Sequence, residues 1–163
     1  LILGFRLAIA GLKKKPALLL AGATGWDEAV AGEIRAAQRD GFDIRHLGYL
    51  PIEELSALLG GAEIVAYPSE GEGFGLPVLE AMACGATVLT ADSLAIPEVG
   101  GKAVSYTRTD PESIAAALGQ LLKNRAERKT LSRAALARSK KFSWSACLGV
   151  HRSAWVEAVS ARR

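Results

Sequence analysis

Apolar and polar positions fall in blocks along this chain, and the blocks alternate between two periods. Leu1–Leu12 is apolar apart from Arg6 and ends in Lys13-Lys14-Lys15, which predicts a helix from Leu1 to about Lys14, broken by Pro16. Ala17 to Gly22 is a short apolar run bounded by turn residues and predicts a buried strand. A turn at Ala23-Thr24-Gly25 leads to a helix over Asp27–Asp40, with Val30, Ile34 and Ala37 on its inner side and Gly41 as its stop. Phe42–Gly48 predicts a second strand, with Ile44 and Leu47 toward the core. Pro51 opens a helix over Ile52–Leu59 that Gly60-Gly61 closes, and Ala62–Tyr67 predicts a third strand.

The second half continues the alternation. Val78–Cys84 reads as a helix ended by Gly85, Ala86–Thr90 as the fourth strand, and Ala103–Tyr106 as a short fifth. Asp110-Pro111-Glu112 is a strong helix start, with Asp as the cap and Pro at the first position. That helix runs to about Lys123, another covers Arg125 to Lys140, and Ser143 caps a last one to about Ala161. Trp144 and Trp155, about three turns apart, are expected to pack this last helix onto the domain. Strands alternating with helices predict an α/β fold with a parallel sheet flanked by helices, and 1–163 reads as a single domain with 143–163 as its C-terminal helix. Ligands of such sheets bind at the carboxyl ends of the strands. The loops Gly48–Pro51, Pro68–Gly75 and Ala91–Glu98 converge there.

The middle loop carries the chain's densest chemistry, Glu72-Gly73-Phe74-Gly75-Leu76-Pro77-Val78-Leu79-Glu80. Gly73 and Gly75 lack a Cβ, so the backbone can bend sharply and approach a ligand. The amides of Gly73–Leu76 lie at a helix start, where a phosphate gains roughly 0.3–2 kcal/mol from the helix dipole. Glu80 is the one charge on a helix apolar nearly all round, so it is expected at a mouth where a ligand meets it. A plainer reading stands beside this one. Glycine–proline turns start many buried helices without a ligand, and Glu80 then only complements the dipole.

Composition narrows the function classes. With 50% hydrophobic and 23% charged residues, the 163-residue chain has enough apolar surface for a core and is not a disordered tail. A net charge of +3 does not point to nucleic acid. The basic residues are uneven, however: eight lie between Lys123 and Lys141 against one acid, Glu127. That stretch reads as a solvated helix face, compatible with an anionic membrane surface. Cys84 and Cys147 fit a reducing compartment, and neither joins a metal-ligand cluster with His46 or His151. The first apolar stretch is too short to span a bilayer, and its positive charge follows rather than precedes it, unlike a signal peptide. The chain opens at Leu1 without a methionine, which points to a fragment or a processed product.

The segment Glu72–Gly85 resembles the donor-site motif of retaining glycosyltransferases of family 4, two glutamates separated by seven residues. Pro68-Ser69, Pro97-Glu98-Val99, Asp110-Pro111-Glu112 and Phe142-Ser143-Trp144 resemble the family's surroundings in order and spacing. The resemblance implies the C-terminal, Rossmann-like half of a GT-B fold, the half that binds a nucleotide sugar. It implies that Glu72, as the catalytic-site carboxylate, lies near the donor sugar's hydroxyls without acting as a nucleophile. The amides of Gly73, Phe74, Gly75 and Leu76 would then face the sugar and diphosphate. Glu80 would bond the ribose hydroxyls, and the base would lie near Gly48–Leu50, with Leu50 as a contact.

The implied chemistry is transfer of a mannose- or glucose-type sugar from a UDP-, GDP- or ADP-linked donor to a glycan or lipid-linked acceptor, with retention. No cofactor or metal is expected, because fixed dipoles and cations would stabilise the leaving diphosphate. The implied setting is cytoplasmic, peripheral to the inner face of the plasma membrane, in cell-envelope polysaccharide synthesis.

The chain departs from the family at its start. The first strand, with a glycine-rich turn carrying an Arg and a Lys, has no counterpart here, and neither has the N-terminal acceptor domain. That strand normally lies mid-sheet, so neighbouring edges and apolar faces are expected to be exposed. Glu70-Gly71 stands where relatives often carry a bulky apolar or aromatic pair. Two alternatives remain, a non-catalytic nucleotide-sugar-binding fragment and, less favoured by the full Glu72–Glu80 motif, a sugar-nucleotide epimerase.

Overall fold

The structure is a computed structural model that describes residues 1–23 and 28–161. The expected turn at Thr24-Gly25 and the helix start at Asp27 lie outside the described residues. In chain order the elements are α1 (Ile2–Ile9), β1 (Leu18–Ala21), α2 (Glu28–Arg39), β2 (Ile44–Gly48), α3 (Ile52–Gly61), β3 (Val65–Tyr67) and α4 (Leu76–Ala83). They continue with β4 (Val88–Ala91), α5 (Ile96–Gly100), β5 (Ser105–Thr107), α6 (Pro111–Lys123), α7 (Arg125–Ser139) and α8 (Trp144–Ser160). The alternation predicts α/β with parallel pairing, and every observed strand pair is parallel.

The sheet comes in two pieces. β1 pairs with β2, and β3–β4–β5 form the other piece with β4 in the middle. All four residues of β4 are buried, and its side chains serve both faces in turn, as a period of two requires. Val88 enters a core with Val78 and Met82 of α4, Ile96 of α5 and Ala135 of α7. Leu89 enters a second core with Phe5 and Ile9 of α1, Ile44 of β2 and Ile114 of α6. This second core ties the two pieces together through α1 and α6. Their crossing is close: a Cβ on Gly4 would lie 2.7 Å from Ile114 Cγ2 and 2.9 Å from the Pro111 carbonyl oxygen.

No hydrogen bonds join β1 to β3. Both instead line one largely apolar groove of about 790 Å³, which also takes in Phe5 and Leu118 from the buried side and Glu80 from the exposed side. The expected buried strand at 17–22 is therefore half-exposed along β1, with Leu19 at 40%. β3 is half-exposed as well. Edges and apolar faces are exposed here, as the sequence reading expects.

Three further expectations are corrected. α1 stops at Ile9, where Gly11 and three like charges disfavour another turn; Arg6 and Lys15 instead lie over the Phe42 ring, at 5.3 and 4.5 Å from its centroid. Leu47 is exposed while Ile44 is buried, because only the start of β2 is covered and Arg45, His46 and Leu47 all lie outside the core. Trp144 and Trp155 do not pack α8 onto the domain: α8 has no buried residue, and the two indoles are 82% and 63% exposed. Trp144, Leu148, Trp155 and Val159 form an outward stripe at helical spacing, and Trp155 meets His151 of its own helix edge-on.

Candidate functional site

The site is built on the turn from β3 into α4. The carbonyl of Tyr67, last residue of β3, accepts from Thr90 Oγ1 at 2.8 Å and from the Ser69 amide at 3.0 Å. Ser69 Oγ donates to the Gly71 carbonyl, and Ser93 Oγ donates to the Ser69 carbonyl, so the loop after β3 is tied to the loop after β4. The chain thus folds back over the strand end and returns Glu72 to Tyr67. The Tyr67 phenol donates to Glu72 Oε1 at 2.6 Å. This hydrogen bond, then burial, then the Glu72 charge, push the Tyr67 phenol up to about 12. Tyr67 therefore stays protonated, and a donor, well above neutral pH.

Gly75 makes the turn into the helix. It caps α4 with φ 93° and ψ 41°, a left-handed conformation that disfavours any residue with a Cβ. No side chain caps this end of α4, and Pro77 in the first turn has no N–H to satisfy. The first amides of α4 are left for solvent or an anion. Phe74, 43% exposed, meets the Phe142 ring edge-on at 6.1 Å between centroids. Leu76 is 48% exposed, so α4 is not buried all round: Val78, Ala81 and Met82 face the core, while Leu76 and Glu80 share the outer stripe.

Glu80 is exposed and lies on the groove between β1 and β3, with Pro77 and Tyr67 also in its lining. Among the described residues it has no ion pair or side-chain hydrogen bond. Glu72, Gly73, Phe74, Gly75, Leu76 and Glu80 thus occupy one turn and the first helical turn and a half. Leu50 is apart from them. It follows β2 in the other sheet piece, half-buried before Pro51, and is not in the groove lining with Glu80. Tyr49 beside it is 84% exposed. The Gly22 amide donates to the Gly48 carbonyl at 2.8 Å, which joins the ends of β1 and β2. His46 is exposed and contacts the Gly22 carbonyl at 3.0 Å, a structural role.

Sequence reasoning missed three supporting residues. Tyr67 was only a strand residue, although a polar-tipped side chain at the last position of an apolar strand was a usable signal. Arg138 belonged to a basic stretch, yet it donates to the carbonyls of Val99 (2.6 Å) and Glu98 (2.5 Å) and so clamps α5. Arg128, from the same stretch, donates to the carbonyls of Leu121 and Leu122 at the end of α6. Among the described residues no group of three or more His, Cys, Asp or Glu gathers as a metal site.

Residues 5–138 match the family described as glycosyl transferases group 1. The chain belongs to this family. It is 39% identical over 132 residues to O-antigen chain mannosyltransferase B of Escherichia coli, a match covering 80% of this chain and 34% of that protein. It is 40% identical over 97 residues to the MMP alpha-(1->4)-mannosyltransferase of Mycolicibacterium hassiacum, covering 56% of this chain and 24% of the relative. The chain spans about a third or less of these relatives. Its fold matches Anabaena HepE, solved with UDP and glucose, at a TM-score of 0.74 and 22% identity over 98% of this chain and 44% of that one. Sucrose-phosphate synthase from Thermosynechococcus elongatus matches at 0.73 and 23% identity, over 98% and 42%. The α/β architecture, with parallel strands flanked by helices, matches the carboxyl-terminal domains of GT-B glycosyltransferases.

Proposed function

We propose that this chain is the donor-binding part of a retaining family 4 glycosyltransferase, whose full-length protein moves a mannose- or glucose-type sugar from a nucleoside diphosphate to a glycan or lipid-linked acceptor. The observation that carries the reading is the joint placement of Glu72, held by Tyr67, and Glu80, free on the groove, around the uncapped start of α4. The uncapped amides suit a diphosphate, Glu72 suits sugar hydroxyls, and Glu80 suits a ribose diol. The mannosyltransferase relatives favour mannose. Leaving-group charge would be met by fixed backbone dipoles in place before the reaction. Glu72 orients the sugar in this scheme and forms no bond to it. The base is assigned to Gly48–Leu50 across the groove.

The exposed residues Arg125, Lys129 and Arg133 share one stripe of α7, with exposed Lys140 just past its end, which supports peripheral contact with an anionic membrane surface and a cytoplasmic setting. Among the described residues no helix is long and apolar enough to cross a membrane.

A second reading is a nucleotide-sugar-binding unit that does not catalyse. It is favoured by the groove lining, which includes no Lys or Arg among the described residues. Calorimetric titration of this chain with UDP, GDP and ADP tests the binding reading: preference for one nucleotide is expected, and no binding by folded chain counts against it. Transfer from GDP-mannose or a UDP- or ADP-sugar by the full-length protein then separates an enzyme from a binding unit.

A further inference from the structure

We infer that Tyr67 is the positioning residue for Glu72: its phenol occupies Oε1, so that Oε2 alone is presented to a hydroxyl of the donor sugar. The inference rests on the reading of Glu72 as the donor-facing carboxylate.

The geometry is specific to these two side chains. Tyr67 lies half-buried against the core that holds α4, and its backbone is anchored from two sides by Thr90 and Ser69. Its ring is therefore a fixed arm at the end of β3. Glu72 sits five residues later, on a glycine-flanked turn with no such anchoring of its own. Its terminal torsion is intrinsically broad and roughly two-fold. The 2.6 Å bond to Oε1 removes that freedom, and phenol–carboxylate bonds of this length belong to the stronger, charge-assisted kind. Among the described residues nothing donates to Oε2. One acceptor oxygen is thus satisfied by the protein and the other is held at a set angle for a ligand. A carboxylate held this way loses little orientational freedom when a hydroxyl arrives, which favours the reactive pose of the sugar. The elevated phenol pKa agrees, because Tyr67 remains a donor throughout the moderate pH range.

The test is Tyr67→Phe in the full-length protein, which keeps the ring and its packing and removes only the donor. Sugar transfer, measured as kcat/KM for the donor, should fall roughly 10- to 100-fold. Nucleoside diphosphate affinity and melting temperature should stay close to wild type. In a Glu72→Ala background the same change should alter kcat/KM by less than about twofold, since the group it positions is gone. A folded Tyr67→Phe variant with wild-type kcat/KM, or full additivity with Glu72→Ala, would overturn the assignment. A readout independent of activity is the alkaline titration of tyrosine absorbance. A phenol titrating at about 12 should vanish in Tyr67→Phe and move toward the ordinary value of 10.0 in Glu72→Ala; an unmoved midpoint would also overturn the assignment. Failures of the two readings are distinct. A wild-type protein that transfers no sugar sinks the functional reading, whereas an active wild type with an equally active Tyr67→Phe sinks this one.

Discussion

The ring of Phe142 stands edge-on to the ring of Phe74, 6.1 Å between centroids and at 83°, so a residue in the link between α7 and α8 buttresses the glycine-rich turn 68 positions earlier. The Arg138 guanidinium also lies over the Phe142 ring, 5.7 Å from its centroid, while its donors hold the end of α5. Phe142→Ala should lower stability by about 1–2 kcal/mol, from the lost aromatic pair and partial burial. It should also weaken nucleoside diphosphate binding by loosening the turn. Thermal denaturation and calorimetry check both, and an unchanged affinity would show that the turn holds itself.

Glu80 is exposed on the groove without a protein partner among the described residues. Glu80→Gln keeps its size and removes its charge. Nucleoside diphosphate affinity should drop about tenfold, roughly the 1.5 kcal/mol of one charge-assisted hydrogen bond, while stability is unaffected. Equal affinities of wild type and variant would remove the ribose role.

The two site glycines should behave differently. Gly75 holds φ +93°, so Gly75→Ala should destabilise by roughly 1–2 kcal/mol from backbone strain alone, its Cβ making only an ordinary 3.6 Å contact with Ile96. A Cβ on Gly73 would meet nothing within 4 Å. Gly73→Ala should therefore leave the melting temperature near wild type and, on the proposed reading that the donor fills the open space beside it, reduce donor binding. Intact donor binding in Gly73→Ala would move the donor elsewhere.

The Asp110 carboxylate accepts the Ser113 amide at 2.9 Å at the start of α6, and this bond, with Arg108 beside it, holds its pKa below 3.8. A depressed folded pKa means that this stabilisation is complete above the ordinary carboxylate range and is lost as pH falls through the lower folded value. Asp110→Asn, which still caps, should flatten the acid side of the stability profile, and Asp110→Ala should lower stability at neutral pH as well. Parallel denaturation curves for wild type and Asp110→Asn from pH 6 to pH 2 (roughly the titration range of a carboxylate) would exclude the effect.

The edges of β1 and β3 flank an apolar groove with no strand between them among the described residues. Unpaired edges and exposed apolar surface favour association. The isolated chain should be marginally stable or self-associate, as read by sedimentation and by a melting temperature that varies with concentration. A monomer with a high, concentration-independent melting temperature would contradict this.

Much of the fold and the local framework of the candidate site were legible in the linear order of residues. Apolar runs between turn residues located β1 and β4, although only β4 is buried along its whole length. Asp110-Pro111 and Ser143 marked helix starts, and both side chains accept the expected amides. Glu72, Gly75, Pro77 and Glu80 were readable because local backbone demands dictate residue type at a turn into a helix. What only the tertiary structure decided depended on contacts between distant segments. Leu19, Leu47, Trp144 and Trp155 are apolar by sequence and exposed in place, because burial is set by which neighbours arrive and not by the side chain itself. Arg128 and Arg138 read as solvated charge until the ends of α6 and α5 came within reach of their guanidinium groups. Tyr67 became part of the site only when a folded-back loop brought Glu72 within 2.6 Å of its hydroxyl, a distance that no spacing rule in the sequence specifies.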